Sequence, residues 1–385
     1  MMSTPAEQVA EDPAEEQRRM LRESALAFAA RELKPSRMRS LRTQAVQFDR
    51  KLWKTMAEMG WTGLMLPEAH GGSALGIADM AAVVEELSRS LLPEPLVASA
   101  VFAGSLIANG DNEALKAKLL PDLVAGDLIP AVAFQEGLKI DGPVQCRAEP
   151  EGKDFVLNGT KTYVRPGAGA DGFVVSAKSG DGLGLFWIPI ATTGAALKLE
   201  RSTDGTDVGT LILKSVKVGA DNVVASPKTG AAVFERAFNE ALIAGSAELL
   251  GLMRGALDMT TAYLRTRVQF GKPIGSFQAL QHRAVDLYLQ QELTAAALGE
   301  VAGLFEQGGS PDQQNALASR IKARASDAAM QIGRESIQMH GAIGFTDEYD
   351  VGFYFKRIVA LSAWLGNSAE HRRRYAQASG IGKKH

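Results

Sequence analysis

The hydrophobic periodicity of this chain changes twice, and that change constrains the fold more than any other feature. To about residue 126, apolar residues recur at helical spacing. From about 127 to 228 they fall into short runs with strand character, and from about 229 to the end they return to long helical stripes. This order predicts an α+β multidomain protein: an N-terminal helical domain (1–126), a middle antiparallel β domain (127–228) and a C-terminal four-helix bundle (229–385).

In the first region, Asp12 and Pro13 form a helix start, with Asp as N-cap, Pro at the first helical position, and Glu15 and Glu16 in the turn that the macrodipole favours. Further helices are expected over Leu52–Met59, Ile77–Ser90, Pro95–Ile107 and Ala114–Val124. In the second region, Asp154–Leu157 and Thr160–Val164 flank Asn158 and Gly159. That pair suits a two-residue hairpin turn, because both turn positions need positive φ. Strands are also expected at Gly172–Ala177, Leu183–Pro189 and Thr210–Val218.

In the third region, Leu249, Met253, Ala256, Thr260 and Tyr263 share one helix face. Leu280, Ala284, Leu287, Leu293, Ala297, Val301 and Leu304 form another stripe. A helix capped at Ser310 and Pro311 carries Leu317, Ile321, Ala325, Ala328 and Ile332 and runs to Gly341, roughly 45 Å.

Composition narrows function mainly by exclusion. A net charge of −2 without an interior basic stripe gives no nucleic-acid signal, and Lys383, Lys384 and His385 read as a solvated end. No run of about 18 apolar residues predicts a membrane span. Met1 to Pro13 lacks a basic n-region and an apolar h-region, so it reads as a loose lead-in rather than a secretory signal. Cys146 is the only cysteine, which excludes an internal disulfide and fits a reducing cytoplasm.

Several catalytic motifs fail on context. Gly167, Gly169 and Gly172 match G-x-G-x-x-G, but a strand follows where a dinucleotide fingerprint needs a helix. No H-E-x-x-H, C-x-x-C, Walker loop or G-x-S-x-G occurs, and the five histidines show no metal-ligand spacing.

Two segments remain. Arg265 to His282 reads as a helix end, a Gly/Pro turn and a new helix opening at Ser276. Arg267 there offers a planar fork for phosphate oxygens, and a helix start adds free N–H groups. An ordinary helix corner with an exposed Arg explains the same residues. Gln338 to Thr346 ends a long helix in glycine-rich backbone, which also suits a plain C-cap.

At these residues the chain resembles the acyl-CoA dehydrogenase family. Its R-x-Q-F-G-x-P-I-G-x-F-Q-x-x-Q-H and Q-x-x-G-G-x-G-[FY] motifs are matched in order and spacing, with Ala342 in place of the second glycine of the latter. Gly63 to Gly72 resembles the family's N-terminal domain, and Leu157 to Lys161 its β domain, so the likeness covers nearly the whole chain. The resemblance implies FAD, an acyl-CoA substrate, an oligomer and an electron-transfer flavoprotein as acceptor. It places Arg267, Gln269, Phe270 and Gln278 in the motif that meets a neighbouring subunit's FAD, and Gln338 and Gly341 at its diphosphate and adenine end. Gln135 falls where the family has a flavin-side Thr, Tyr163 where it has a flavin-stacking Trp, and Arg165 where it has a flavin-contacting Thr.

The family reaction removes a proton from the acyl α-carbon, which requires a carboxylate over that carbon. At the matching position the chain reads Trp364, Leu365, Gly366, Asn367, and Leu365 cannot take a proton. The family's alternative position holds Ala241. Its neighbour Glu240 is a candidate relocated base, although one residue rotates a helical side chain by about 100°, and its plain alternative is a surface charge. Glu248 is a weaker candidate. The ending from Phe355, Lys356 and Arg357 to Asn367 is similar to the small-subunit type of pimeloyl-CoA dehydrogenase, and related mixed enzymes divide FAD and base between unlike subunits. The expected function is therefore α,β-dehydrogenation of a bulky acyl-CoA in a homo- or hetero-oligomer. The rivals are a flavin monooxygenase on the same fold and an FAD-holding subunit without turnover.

Overall fold

In a computed structural model, residues 13–180 and 182–381 are described. The lead-in, its Asp12 cap and the basic end lie outside them. Helix α1 (Pro13–Glu32) begins on Pro13, with Glu15 and Glu16 in its first turn. A short α2 (Arg37–Leu41), unmarked in the sequence, precedes α3 (Arg50–Glu58), where the Asp49 side chain accepts from the Lys51 amide. After α4 (Ile77–Ser88), the helix expected over Pro95–Ile107 divides. Leu96–Ala103 winds as wide π-type turns and only Gly104–Ala108 (α5) is regular, before α6 (Glu113–Val124). Both pieces are almost wholly buried, so no polar face marks their period.

The middle region forms one eight-stranded sheet. Its strands are β1 (Pro130–Ala133), β2 (Arg147–Glu151), β3 (Asp154–Val164), β4 (Gly172–Ser179), β5 (Gly182–Pro189), β6 (Ala195–Arg201), β7 (Asp207–Val218) and β8 (Val223–Ala225). The order is β6-β7-β3-β2-β4-β5-β8, with β1 beside β4.

Two expectations fail here. The sheet is not purely antiparallel, since β4 runs parallel to both β1 and β2. Asn158 and Gly159 make no hairpin; they lie inside β3, at a break in its register with β7. The glycine is needed for close approach, because a Cβ there would lie 2.7 Å from Cys146. The asparagine side chain accepts from the Ser215 amide. The turn falls at Gly152 and Lys153 instead, where Glu151 pairs with Asp154. Cys146, sealed under this crossing, has its thiol pushed up to about 11 by burial, so it carries no reactive thiolate.

The last region holds α7 (Gly230–Thr266), a tiny hairpin of β9 (Val268–Gln269) and β10 (Lys272–Pro273), then α8 (Gln278–Glu306), α9 (Pro311–His340), α10 (Val351–Ala363) and α11 (Ser368–Ala378). Helix α8 opens at Gln278 rather than Ser276, because Ile274–Ser276 forms a 3₁₀ turn. Its buried face carries Leu287, Gln291, Thr294, Leu298, Val301 and Ala302. The expected stripe fails at two positions, Leu293, which is 57% exposed, and Leu304, which is 38% exposed, while Val301 is buried and Ala297 packs against the core. Helix α9 is capped as expected, by a reciprocal Ser310–Gln313 box.

Helix α7 is the axis of the molecule. Every residue from Ala237 to Met253 is buried, as expected of a helix packed on all sides. Gly251 lets α4 approach closely, since a Cβ there would lie 2.1 Å from the Glu85 carbonyl oxygen.

Candidate functional site

A crevice opens where the sheet meets α7 and α10. Pro93–Ala98, Arg165, Pro166, Glu248, Arg357, Leu361 and Trp364 line it, and its free volume is about 50 Å³. That is room for a few waters at most. Its floor is an ion network. Arg357 donates to Asp204 at 2.9 Å and to Glu248 at 2.7 Å. The Arg165 guanidinium donates to Thr206 Oγ1 at 3.1 Å and Ser202 Oγ at 3.0 Å, and lies 3.6 Å from Asp204. Burial pushes the Asp204 carboxyl up, but Arg165 and Arg357 outweigh it and hold the group well below the usual range. Glu248 is thus a structural counter-ion, tied to Arg357.

Beside the crevice, the turn after α10 presents Leu365, fully buried and held at φ 60°. His371 Nε2 donates to its carbonyl at 2.8 Å. Burial, together with the nearby Lys322, depresses His371 to about 3, so it stays neutral. Lys322 Nζ donates to Leu361 O at 2.9 Å, Ser362 O at 3.4 Å and Ser326 Oγ at 3.1 Å. Burial lowers Lys322 to about 7, against the pull of Glu248 and Glu370. The turn therefore has a rigid backbone and an apolar tip.

The flavin-side candidates are neighbours. Thr162 N donates to the Gln135 carbonyl at 2.8 Å, and the next residue, Tyr163, is 43% exposed at φ 55°. Arg165 follows, already committed to the ion network.

The diphosphate-side candidates gather at the far end of the bundle. Arg267, Gln269, Phe270 and Gln278 are exposed on and beside the β9–β10 hairpin, with Phe270 90% exposed at φ 53°. Gln338 and Gly341 are exposed where α9 ends. Tyr263 of α7 stacks on His340 of α9, ring centroids 4.5 Å apart, and so ties the two segments together. The side chains of Arg267 and Gln338 have no hydrogen-bond or ion-pair partner among the described residues. From Glu248 to Thr266, α7 rises roughly 27 Å, so the two candidate sets lie far apart on one chain.

Glu240 belongs to neither set. It is not a surface charge: it is 5% exposed. Ser105 Oγ donates to its Oε2 in a short hydrogen bond, and Arg236 Nε to its Oε1 at 3.2 Å. Burial pushes its carboxyl up, opposed by the Ser105 hydrogen bond and by Arg236. It faces a cavity of about 870 Å³ between the start of α7, α5, the start of α4 and the α8–α9 turn. The sequence reading missed this cavity, and also missed Asp204 and Ser105. The one available signal was the nearly unbroken apolar run after Glu240, which marks a helix buried on all faces.

A fold of helices, sheet and helices, with an α/β crevice and a hairpin-linked bundle, defines a class, and comparisons with known proteins agree. The family described as acyl-CoA dehydrogenase, N-terminal domain, matches residues 15–127, and that described as acyl-CoA dehydrogenase, C-terminal domain, matches 228–380. The chain is 30% identical to acyl-CoA dehydrogenase FadE27 of Mycobacterium tuberculosis, over 88% of this chain and 91% of that one. It is 28% identical to the mitochondrial isovaleryl-CoA dehydrogenase of Pongo abelii, over 93% and 87%. Among solved structures it resembles the Tcur3481–Tcur3483 steroid ACAD G363A variant, with TM-score 0.87, 30% identity and coverage of 96% and 99%. It also resembles the ChsE4–ChsE5 complex of Mycobacterium tuberculosis, with TM-score 0.87, 26% identity and coverage of 96% and 98%. The chain belongs to the acyl-CoA dehydrogenase family, a family of FAD-dependent oxidoreductases acting on acyl-CoA. No helix among the described residues is long and apolar enough to cross a membrane, and no group of potential metal ligands occurs among them.

Proposed function

We propose that this chain is a subunit of an FAD-dependent acyl-CoA dehydrogenase that oxidises a bulky acyl-CoA, and that a partner subunit supplies the catalytic carboxylate. The observation that carries the proposal is the Leu365 turn: a buried apolar side chain stands where the family motif carries its base. FAD fits this chain unevenly. Arg267, Gln269, Phe270, Gln278, Gln338 and Gly341 form an open surface with unsatisfied donors, suited to a diphosphate. Gln135 and Tyr163 are exposed enough to meet a flavin edge, but Arg165 beside them is already committed to the ion network. When bound, FAD supplies the acceptor for a hydride from the acyl β-carbon. The reoxidising partner in this reading is an electron-transfer flavoprotein.

The reading requires an oligomer, because Arg267 and the crevice lie too far apart to complete one site. Light scattering is expected to show an assembly larger than a monomer. The purified chain should bleach little or not at all with acyl-CoA, since a positioned base is worth about 10²–10⁴-fold. Co-expression with a family member carrying the glutamate should give a mixed oligomer that bleaches readily. Fast turnover by the chain alone, abolished by Glu240→Gln, would make Glu240 the base and end the split-subunit reading.

A further inference from the structure

The cavity beside Glu240, about 870 Å³ in volume, belongs to neither candidate set, and its polar groups are placed unevenly. Its rim is exposed and passes Arg236, Gly308 and Gly309; its walls include Leu66, Ile77 and Val101, all apolar and buried. At the buried end, Glu240, Ser105 and Asn109 form one hydrogen-bonded row. Asn109 Nδ2 donates to Ser105 Oγ at 3.1 Å, and Ser105 Oγ donates on to Glu240. Each Glu240 oxygen accepts one hydrogen bond from the protein and keeps a lone pair.

We infer that this cavity binds a bulky apolar molecule bearing one hydroxyl group, which sits at the buried end and hydrogen-bonds to Glu240. Volume and wall chemistry match the usual small-molecule pocket, apolar with a few fixed polar groups. A hydroxyl suits the floor in either protonation state, because it can donate to the carboxylate and accept from the acid. A purely hydrocarbon ligand would instead strip water from the carboxyl and return nothing. The inference rests on the cavity and not on the dehydrogenase reading. The same chemistry could arrive as the acyl end of a thioester or as a free alcohol.

The test uses matched probes on the full-length protein. One arm compares 4-hydroxycyclohexanecarbonyl-CoA with cyclohexanecarbonyl-CoA, and the other compares 2-decalol with decalin. Binding is followed by ligand-detected NMR and calorimetry. In at least one arm the hydroxylated probe should bind roughly tenfold tighter or more, as one hydrogen bond to a charged group allows. Glu240→Leu, which offers neither donor nor acceptor, should erase most of that preference. Ala108→Phe, which narrows the cavity from its α5 wall, should weaken binding of both members of the pair to a similar degree. A preference confined to the thioester arm assigns the cavity to the acyl group, and one confined to the alcohol arm assigns it to a free ligand. Equal binding within both pairs, a preference that survives Glu240→Leu, or binding indifferent to Ala108→Phe would overturn the inference. Circular dichroism of both variants, and retention of their assembly size, separates loss of binding from loss of fold.

Discussion

The two ends of α7 handle cationic side chains in opposite ways. At the crevice, Arg165 and Arg357 are buried and every nitrogen in use faces a protein oxygen. At the far end, Arg267 stands exposed beside a hairpin whose apex, Phe270, is 90% exposed. A buried guanidinium without partners is costly, so the first arrangement must be complete within the chain. An exposed one is tolerated at little cost, so the second can wait for a ligand or a neighbour. The difference separates residues that hold the fold from residues free to act, although all three are arginines.

That contrast predicts opposite outcomes for two alanine variants. Arg357→Ala leaves Asp204 and Glu248 as buried carboxylates without their shared cation. Its expected effect is the largest, a stability loss of about 3–5 kcal/mol in urea denaturation. A loss under about 1 kcal/mol would mean that the network is hydrated and the crevice open. Arg267→Ala should leave stability unchanged within about 0.5 kcal/mol. Flavin titration should show FAD affinity weakened by about 2–3 kcal/mol, or roughly 30–150-fold. Unaltered FAD retention would remove Arg267 from the site.

The sequence was most legible where side-chain period and capping chemistry act locally. Helix α9 was readable because Ser310, Pro311 and Gln313 fix its start and Gly341 its end. The Asn158–Gly159 hairpin failed because a local turn signal also describes a glycine that a neighbouring strand needs to pass, and Cys146 lies thirteen positions upstream of Gly159. The Leu293 stripe failed because α8 buries Gln291 and Thr294, polar residues that a hydrophobic pattern skips. In the candidate site, Leu365 and Arg267 stood out through motifs. Asp204 and Ser105 carried no motif, and Glu240 was read as exposed because burial on all sides depends on tertiary packing around α7.

The crevice network and the turn next to it handle protons in opposite ways. Asp204 is held charged, whereas His371 is held neutral, and acid attacks both. His371 titrates at about 3 in the fold and ordinarily near 6.5. Between those values the unfolded chain binds more protons, so stability is lost as pH falls from 6.5 toward 3. His371→Gln keeps a donor for the Leu365 carbonyl but cannot titrate. Between pH 6.5 and 5 the variant should lose about 1–2 kcal/mol less than the parent. Parallel losses would place the acid sensitivity in the carboxylates alone.

The smallest effect concerns Lys322, the buried amine that ties α9 to the end of α10. Its folded value is about 7, against an ordinary value of 10.5. Above pH 7 the folded chain has released this proton while the unfolded chain still holds it, so stability should rise with pH from 7 toward 10.5. Below 7 both states carry the charge and the full cost of burying it. Lys322→Met removes the titration and roughly conserves volume. Denaturation at pH 7.0, 7.5 and 8.0 should show the parent gaining about 0.5–1 kcal/mol relative to the variant across that interval. Three oxygen acceptors oppose this outcome, because Leu361 O, Ser362 O and Ser326 Oγ all favour an ammonium over an amine. If parent and variant run parallel, those acceptors have kept Lys322 charged. The turn would then be anchored by a cation with the same complete satisfaction as Arg357, and the crevice and the turn would form one continuous buried ion network.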